Sequence, residues 1–344
     1  MGAIEGLRAD VLVIGGGPAG LAAAIAVRMK GLSVTLAEAG RPPVDKACGE
    51  GILPAGVEAL RRLGVRVDTD EGFPLRGIRF LRGDTTIEAP FRDARATGLR
   101  RTRLHELLAR RAEEAGVRLL WNTPIRSLAG LADCRWIVGA DGQRSRVRRE
   151  ANLDAARCFS IRFGFRRHYR LAPWTDLVEV HWGARCQVYI TPVSAEEVGV
   201  ALLARDPHLR LDAALVEFPA LERRLRTAPG SSAERGGITT TCRMKRVFEG
   251  RTALIGDASG SVDAITGDGL SLSFLQAHAL ADAVARNDLG LYQAAHRRLA
   301  RKPTMTARGL LLLDRFPWLR RMVFQGLAFE PAIFARLLAL HAAE

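Results

Sequence analysis

A glycine-rich loop between a buried strand and an alanine-rich helix is the feature that most constrains the fold of this chain. Asp10–Ile14 is a short apolar, β-branched run, which is typical of a strand buried on both faces of a sheet. Gly15–Gly20 (GGGPAG) predicts a turn, Leu21–Lys30 a helix, and Ser33–Glu38 a second buried strand. The segment therefore predicts a βαβ unit, in which a right-handed crossover joins two parallel strands.

The spacing G-x-G-x-x-G at Gly15, Gly17 and Gly20 predicts a loop that binds a dinucleotide. One glycine permits the tight turn, one lets the backbone approach a pyrophosphate, and one allows the helix to pack closely on the strand. The helix N-terminus offers unpaired N–H groups and a partial positive charge to the phosphates. Glu38 ends the second strand, where its carboxylate is placed to accept hydrogen bonds from ribose hydroxyls and to repel a 2′-phosphate.

The charge of the chain is strongly basic but is not arranged for nucleic acid. The 344 residues include 51 Lys and Arg against 37 Asp and Glu, which gives a formal net charge of +14. An excess of this size attracts acidic partners, among them nucleic acids and anionic membranes. The basic residues form only short clusters, without an aromatic-interleaved stripe, a helix-turn-helix or zinc-finger spacing. We therefore expect no nucleic-acid partner.

Cysteine usage and hydropathy favour a cytoplasmic protein. The five cysteines are widely spaced, odd in number and without a CxxC pair. That pattern predicts neither a disulfide framework nor a structural zinc site, and it favours a reducing compartment. The sequence has no run of about 20 apolar residues, so we expect no membrane-spanning helix.

The other segments predict a nucleotide-binding domain that is split in sequence by a second sheet. Val117–Trp121, Arg135–Gly139 and Ala253–Ile255 have the pattern of buried strands, whereas Cys158 to Arg205 alternates as an antiparallel sheet does. We expect an α/β fold with a Rossmann-like domain, an inserted antiparallel substrate-binding sheet domain and a helical tail. The expected boundaries are 1–75, 98–155 and 245–290 for the first domain, 76–97 and 156–244 for the second, and 291–344 for the tail.

The C-terminal tail predicts helices that break at Pro303, Pro317 and Pro331. Its stretch Phe316–Phe334 mixes Leu, Phe, Trp and Arg, which fits two arrangements. The helices pack on the preceding domains, or they rest on a membrane or grip a lipid-like substrate. A peripheral membrane contact is therefore left open, as is the choice between a monomer and a dimer.

Two later motifs carry a resemblance to a known family. Val138–Ser145 (VGADGQRS) resembles the DG motif of the para-hydroxybenzoate-hydroxylase-like FAD-dependent oxidoreductases. Ala253–Gly260 (ALIGDASG), followed by Val262–Leu270 (VDAITGDGL), resembles the GD motif of the same superfamily. With the N-terminal loop, these motifs cover most of the chain in the family's order. The resemblance implies an FAD-binding flavoprotein oxidoreductase.

Further details are most similar to the geranylgeranyl-reductase-like branch of that superfamily. Lys46–Gly51 (KACGEG) resembles the branch's Cys-Gly loop near the flavin, and Arg101–Leu108 (RTRLHELL) resembles the start of one of its helices. The family's aromatic hydroxylases usually carry a His and a Pro where this chain has Ser259 and Ala264. In these two positions the chain departs from the hydroxylase pattern.

The loop and the resemblance together define the expected site. Asp257 follows a strand at the carboxyl edge of the sheet, so its carboxylate is placed to hold a ribityl or ribose hydroxyl. The helix after Gly267–Gly269 is expected to aim its N-terminus at the flavin pyrimidine. Cys48 is the candidate catalytic residue, as a thiol that forms an adduct, donates a proton or simply packs. The expected cofactor-binding residues are Gly15, Gly17, Pro18, Ala19, Gly20, Glu38, Ala39, Lys46, Cys48, Gly49, Arg101, Ile125, Asp141, Gly142, Asp257, Gly267, Asp268, Gly269 and Leu270, and no metal site is expected.

Two reactions fit a flavoprotein of this family, with FAD as the cofactor and NAD(P)H as the expected electron donor. The superfamily contains many hydroxylating enzymes of tailoring pathways. This favours a monooxygenase that hydroxylates an apolar or aromatic small molecule in such a pathway. The alternative, implied by the branch resemblance, is a reductase that saturates carbon–carbon double bonds. The inserted sheet offers aromatic side chains to an apolar substrate, among them Phe163, Phe165, Tyr169, Trp182 and Tyr189. A third alternative is a non-catalytic FAD-binding or membrane-surface protein.

Overall fold

The structure, a computed structural model, describes residues 9–91, 95–131, 133–154 and 156–342. The strands of the described residues are β1 (Val11–Ile14), β2 (Val34–Ala37), β3 (Gly51–Ile52), β4 (Phe73–Leu75), β5 (Gly77–Arg82), β6 (Thr85–Pro90), β7 (Ala96–Gly98), β8 (Arg118–Leu120), β9 (Trp136–Gly139), β10 (Ala156–Arg170), β11 (Leu177–Trp182), β12 (Cys186–Ser194), β13 (Glu197–Ala204), β14 (Arg235–Met244), β15 (Phe248–Glu249) and β16 (Thr252–Leu254). The helices are α1 (Pro18–Arg28), α2 (Pro54–Arg62), α3 (Arg101–Glu114), α4 (Arg146–Glu150), α5 (Leu211–Leu215), α6 (Pro219–Arg226), α7 (Gly269–Ala285), α8 (Leu289–Arg315), α9 (Pro317–Phe329) and α10 (Pro331–Ala342).

The first sheet contains the predicted βαβ unit. Its strand order is β15-β16-β9-β1-β2-β8, and every pair is parallel except β15 with β16. Every residue of β1, β2 and β9 is buried, because helices cover both faces of a parallel sheet. Helix α1 begins at Pro18, three residues before the predicted start, since a proline in the first turn needs no intrahelical N–H bond.

The second sheet is formed by the inserted segment together with an earlier hairpin. Its order is β14-β10-β13-β12-β11-β5-β6, and all pairs are antiparallel except β11 with β5. The chain leaves the first sheet after β9, forms β10 to β14, and returns to the first sheet with β15 and β16. The predicted α/β fold, with a split Rossmann-like domain, an inserted sheet and a helical tail, is therefore confirmed, whereas the exact domain boundaries stay a prediction.

The expectation that the cysteines form no disulfide is wrong for one pair. Cys158 and Cys242 are joined by a disulfide, although 84 residues separate them in sequence. They face each other in the antiparallel register of β10 and β14, which brings their Cα atoms to 4.2 Å. Cys48, Cys134 and Cys186 are free thiols. Spacing alone did not indicate the pair, because only strand register places the two residues together.

The tail forms three helices, and one of the three predicted breaks is wrong. Pro317 and Pro331 each begin a helix, whereas Pro303 lies inside α8. The loss of one backbone bond at Pro303 does not end the helix, because its C-terminal half is held by packing on the second sheet. Among the described residues, no single helix has the length and apolar composition to cross a membrane. Helices α9 and α10 have that length and apolar composition only when taken together, and the chain bends by 104° between them.

Candidate active site

A cavity of about 1220 Å³ opens where the carboxyl ends of β1, β2 and β9 face the second sheet. Ligands of open parallel sheets bind at this edge. Of the residues expected to bind the cofactor, all but Gly20 and Asp268 line the cavity. The chain therefore brings together residues from position 15 to position 270 around one cavity.

The glycine loop approaches the cavity with its backbone. Gly15 has φ +112°, and a Cβ at this position would overlap the Ala140 carbonyl. Gly17 is the N-cap of α1 and faces open space, so nothing separates its backbone from a ligand. A Cβ at Gly20 would overlap the Gly15 carbonyl, which explains why Gly20 supports the contact between helix and strand and does not reach the cavity.

Glu38 and His105 hold this loop from two sides. The Glu38 carboxylate accepts hydrogen bonds from the N–H groups of Gly16 (2.6 Å) and Gly40 (2.7 Å). His105 lies 2.9 Å from the Gly16 carbonyl through Nε2, and because a carbonyl only accepts, Nε2 carries the proton. Burial lowers the pKa of His105 and keeps its ring neutral. Sequence analysis missed His105, whose only signal was its place in the family-like helix start.

The DG motif uses its carboxylate to shape the chain. Asp141 accepts hydrogen bonds from the Ser145 hydroxyl (2.5 Å) and from the N–H groups of Arg146 (2.7 Å) and Val147 (3.1 Å). It thereby fixes the start of α4. Gly142 follows with φ +76° and open space beside it, so the backbone turns toward the cavity at this residue.

The GD motif places one carboxylate at the cavity and one behind it. Asp257 is 2.7 Å from Lys46 Nζ, and both residues line the cavity. Gly267 (φ +73°) and Gly269 leave open space at the N-terminus of α7. Asp268 does not line the cavity itself, but its carboxylate lies 3.3 Å from Nε2 of His341 on α10, which does.

A buried charged network supports the loop that carries Cys48. Glu50 is buried with φ +59°, and its carboxylate accepts from the Arg101 N–H (2.8 Å) and lies 2.5 Å from His168 Nε2. Arg166, also buried, contacts the His168 ring and Asp45 (2.6 Å). The network fixes the Cys48–Gly49 segment against α3 and β10. Sequence analysis missed Glu50 and Arg166, because their partners are 51 to 121 residues away.

Beyond the glycine loops, the cavity becomes an apolar chamber. Two hydroxyl groups in its wall are already engaged: Tyr189 donates to the Ile265 carbonyl (3.1 Å) and Thr191 to the Gly49 carbonyl (2.8 Å). Burial raises the pKa of Tyr189 well above its ordinary value, so the phenol stays protonated. The apolar lining includes Leu53, Ile78, Phe80, Val178, Val180, Leu203, Leu310, Leu313, Val323, Phe324, Leu327, Phe334, Leu337 and Leu338. Eight of these fourteen side chains come from α8, α9 and α10, which we call the roof.

A family model described as an FAD binding domain matches residues 8–295. The chain belongs to this FAD-binding family. The flavoprotein is accordingly an FAD-dependent oxidoreductase of the para-hydroxybenzoate-hydroxylase-like superfamily, as the motifs predicted.

The residues that line the cavity of the flavoprotein fit a bound dinucleotide in their geometry and charge. The Arg101 Nε is buried at the cavity without a hydrogen-bond partner among the described residues. Gly17, Gly142, Gly267 and Gly269 leave room that side chains would fill. The helix N-termini of α1 and α7 both reach the cavity, and helix N-termini favour negative charge. Among the described residues no group of three His, Cys, Asp or Glu side chains is arranged to hold a metal ion.

Characterised relatives of the flavoprotein differ in activity. A menaquinone reductase of Mycobacterium tuberculosis (strain H37Rv) is 26% identical, over 90% of this chain and 85% of the relative. A menaquinone reductase of Mycolicibacterium smegmatis is 31% identical, over 41% of this chain and 39% of the relative. A 12-dehydrotetracycline 5-monooxygenase/anhydrotetracycline 6-monooxygenase of Streptomyces rimosus is 30% identical, over 43% of this chain and 33% of the relative.

Solved structures share the fold of the flavoprotein. The flavin-dependent brominase Bmp2 superposes with a TM-score of 0.80 at 20% identity, covering 97% of this chain and 93% of the brominase. A geranylgeranyl bacteriochlorophyll reductase-like protein of Thermoplasma acidophilum superposes with a TM-score of 0.75 at 18% identity, covering 98% of this chain and 92% of the reductase-like protein. At these identities the likeness extends to the fold alone.

Proposed function

We propose that the flavoprotein reduces a carbon–carbon double bond in an extended apolar molecule, such as the polyprenyl chain of a lipid. The observation that carries this proposal is the apolar chamber, which continues directly from the glycine loops. At about 1220 Å³ the whole cavity exceeds the roughly 300–1,000 Å³ usual for one ligand, so it has room for a cofactor and a substrate. Two relatives named menaquinone reductase, one of them matched over 90% of the chain, support reduction over hydroxylation.

The residues expected to bind the cofactor define its place in the proposal. The α1 N-terminus and Arg101 would hold the phosphates, Glu38 the ribose, and Asp257 the ribityl chain. FAD bound there would supply the two-electron redox chemistry. NAD(P)H is the proposed electron donor and a cytoplasmic location belongs to the same proposal, because that donor is a cytoplasmic metabolite.

The chain itself has two tasks in the proposed reaction. The roof and the apolar wall exclude water and hold the substrate chain extended against the cofactor end of the chamber. Saturation of a double bond also requires a proton at one substrate carbon. We assign that proton to the Cys48 thiol, which is free and lines the cavity beside Gly49. Glu50 positions this thiol, because its backbone N–H donates to Cys48 Sγ (3.4 Å).

The test is anaerobic turnover with a defined substrate. Purified protein loaded with FAD is mixed with NADH or NADPH and with a naphthoquinone that carries a short polyprenyl chain. Mass spectrometry of the product should show two hydrogens gained in the chain, and the gain should survive reoxidation of the quinone ring. A product that changes only in the ring, and reverts in air, would contradict chain reduction.

A monooxygenase is the second candidate, favoured by the similarity to a tetracycline monooxygenase and by the same water-excluding chamber. In this case the product of an aerobic reaction gains one oxygen atom, and isotopically labelled dioxygen is the source of that atom. Reduction and hydroxylation are therefore separated by one mass spectrum of each product, recorded with and without oxygen.

A further inference from the structure

The roof carries apolar side chains on its outer face as well as toward the chamber. On α9, Trp318, Met322 and Phe329 are 63%, 61% and 88% exposed. At 3.6 residues per turn they fall within about 40° of arc, so they form one stripe along the helix. The opposite side of the same helix packs inward through Phe324, which is buried. Helix α9 is therefore apolar on both faces, which a helix that only covers a core does not need.

Helices α10 and α8 repeat this arrangement. Ile333, Leu337 and Leu340 are exposed on α10 and fall within about 60° of arc. Met305 and Leu312 are exposed on α8, seven residues apart and so on one side. All three roof helices thus expose large apolar side chains. We call these residues, with those of α9, the outer stripes.

The outer stripes are continuous with the chamber at its rim. Met305 of α8 and Leu337 of α10 are both exposed and both line the cavity. The cavity therefore reaches the surface at these two side chains. An apolar substrate that enters here passes from the outer stripes into the chamber over apolar surface.

The roof is also strongly basic. Residues 301–342 contain seven Lys and Arg, counted as Arg301, Lys302, Arg308, Arg315, Arg320, Arg321 and Arg336, against the two acids Asp314 and Glu330. Asp314 is engaged by Arg162 of the second sheet and by Arg205, which follows β13. Arg308, Arg321 and Arg336 are exposed, and none has an acidic partner within 4 Å among the described residues. Each lies roughly 60° from the stripe of its helix.

We propose that the roof docks on the surface of an anionic phospholipid bilayer, and that the substrate enters the chamber from the bilayer between Met305 and Leu337. Apolar stripes flanked by arginines match a bilayer interface, where acyl chains receive the apolar side chains and anionic headgroups pair with the arginines. A second copy of the same face would bring like charges together, which opposes that occupant. The entry route rests on the proposed function, whereas the docking surface does not.

Vesicle flotation with the full chain tests the docking surface. Vesicles of phosphatidylcholine with and without phosphatidylglycerol are mixed with the wild type, with Trp318→Ser/Phe329→Ser, and with the matched control Phe159→Ser/Val216→Ser, whose side chains are exposed elsewhere. Wild type and control should float with the anionic vesicles. The roof variant should bind them about tenfold more weakly for each large side chain lost.

The arginines are tested in the same assay. Arg308→Gln/Arg321→Gln/Arg336→Gln should weaken binding by about fivefold per arginine, and high salt should have a similar effect on the wild type. The matched control Arg66→Gln/Arg243→Gln/Arg286→Gln removes the same charge from other exposed positions and should bind as the wild type does. Equal losses in both triple variants would show a general charge effect and would overturn the docking surface.

Trp318 reports the depth of insertion directly. Brominated lipids should quench part of the tryptophan fluorescence of the wild type, and Trp318→Phe should float equally well but lose that quenching. Quenching that is unchanged in Trp318→Phe would place another part of the chain in the bilayer and overturn the proposal. Loss of self-association, without loss of flotation, in Trp318→Ser/Phe329→Ser would also overturn it, in favour of a dimer.

A turnover assay separates this inference from the proposed function. With substrate in anionic vesicles, Trp318→Ser/Phe329→Ser should lose turnover in step with binding, whereas with detergent-dispersed substrate it should match the wild type. Wild type that floats and is quenched but turns over neither form would contradict the proposed function and the entry route, and would leave the docking surface standing. Equal turnover of both forms by the roof variant would overturn the docking surface alone.

Discussion

Arg162 on β10 donates a hydrogen bond from Nη2 to the Asp314 carboxylate on α8 at 2.8 Å. Gln187 bridges the same two residues, accepting from Arg162 Nη1 (2.9 Å) and donating to Asp314 (2.6 Å). The Arg162 Nε lies 3.4 Å from Asp263, in the loop that leads to α7. One buried guanidinium therefore joins the second sheet, the roof and the GD motif.

Removal of the Asp314 charge should loosen the roof and lower stability. Arg162 is 1% exposed, and a buried cation that loses its main partner destabilises a fold by about 3–5 kcal/mol. In urea titrations we expect Asp314→Asn to decrease the free energy of unfolding by an amount that approaches this range. The control Asp212→Asn breaks the exposed pair with Arg167 and should cost no more than about 1 kcal/mol. Equal effects would show that Asp314 does not anchor the roof.

A methyl group at Gly15 should abolish cofactor retention. The Cβ of Gly15→Ala would overlap the Ala140 carbonyl, which is backbone and cannot move aside cheaply. Gly31 also has positive φ, but its Cβ position is open, so Gly31→Ala should cost only about 1 kcal/mol of stability. The FAD content of the two purified variants, measured by absorbance, checks the difference. A wild-type FAD content in Gly15→Ala would show that the loop accommodates the added methyl group.

Loss of the Cys48 thiol should slow turnover without loss of FAD. General acids contribute about 10²–10⁴-fold to rates, so we expect Cys48→Ser to fall by about a hundredfold in kcat. Cys186→Ala, which removes a buried thiol outside the cavity, should keep the wild-type kcat. Wild-type turnover by Cys48→Ser would leave Cys48 only a packing role.

Acid should destabilise the fold through His296. Burial lowers the pKa of this ring to about 4 from 6.5, and its Nε2 lies 2.9 Å from the Ser259 hydroxyl of the GD motif. The unfolded chain therefore binds the proton more tightly, so the stabilising contribution is complete above pH 6.5 and is lost as the pH falls toward 4. The slope is at most about 1.4 kcal/mol per pH unit. Urea titrations at several pH values should show a weaker slope in His296→Gln, and an unchanged slope would assign the effect to other groups.

A thiol count tests the Cys158–Cys242 bridge between β10 and the edge strand β14. Of the five cysteines, three are free, so denatured protein without reductant should react with three equivalents of a thiol reagent, and reduced protein with five. Protein prepared from a reducing cytoplasm under thiol-blocking conditions shows whether the bridge forms there. Five reactive thiols in that sample would favour the reducing compartment expected from cysteine spacing.

The sequence was sufficient for those parts of the fold and site that depend on local pattern. Gly15, Gly17 and Gly20 lie where a strand–turn–helix pattern required them, and the DG and GD segments end at the same cavity. In each case the physical signal, a glycine or a helix start, lies within a few residues of the group it positions. Such signals can be recognised in a sequence even when the distant contacts are not known.

Long-range partnerships could not be predicted in this way. Glu50 meets His168 across 118 residues, and Arg162 meets Asp314 across 152. Each is an ordinary charged residue in its local context, and only burial in a shared interior makes the pairing necessary. The Cys158–Cys242 pair has the same origin, because strand register determines it.

Most of the roof lies beyond the part of the chain that the family model matches, since the match ends at residue 295, within α8, and the chamber-lining residues of α8 begin at Met305. The cofactor loops and most of the substrate enclosure are thus encoded in separate stretches of the chain. Substitutions in the tail can reshape what the chamber admits while the residues around the redox centre stay fixed. Exchange of the tail between such flavoproteins would then be a direct route to altered substrate selectivity, for natural divergence and for engineering alike.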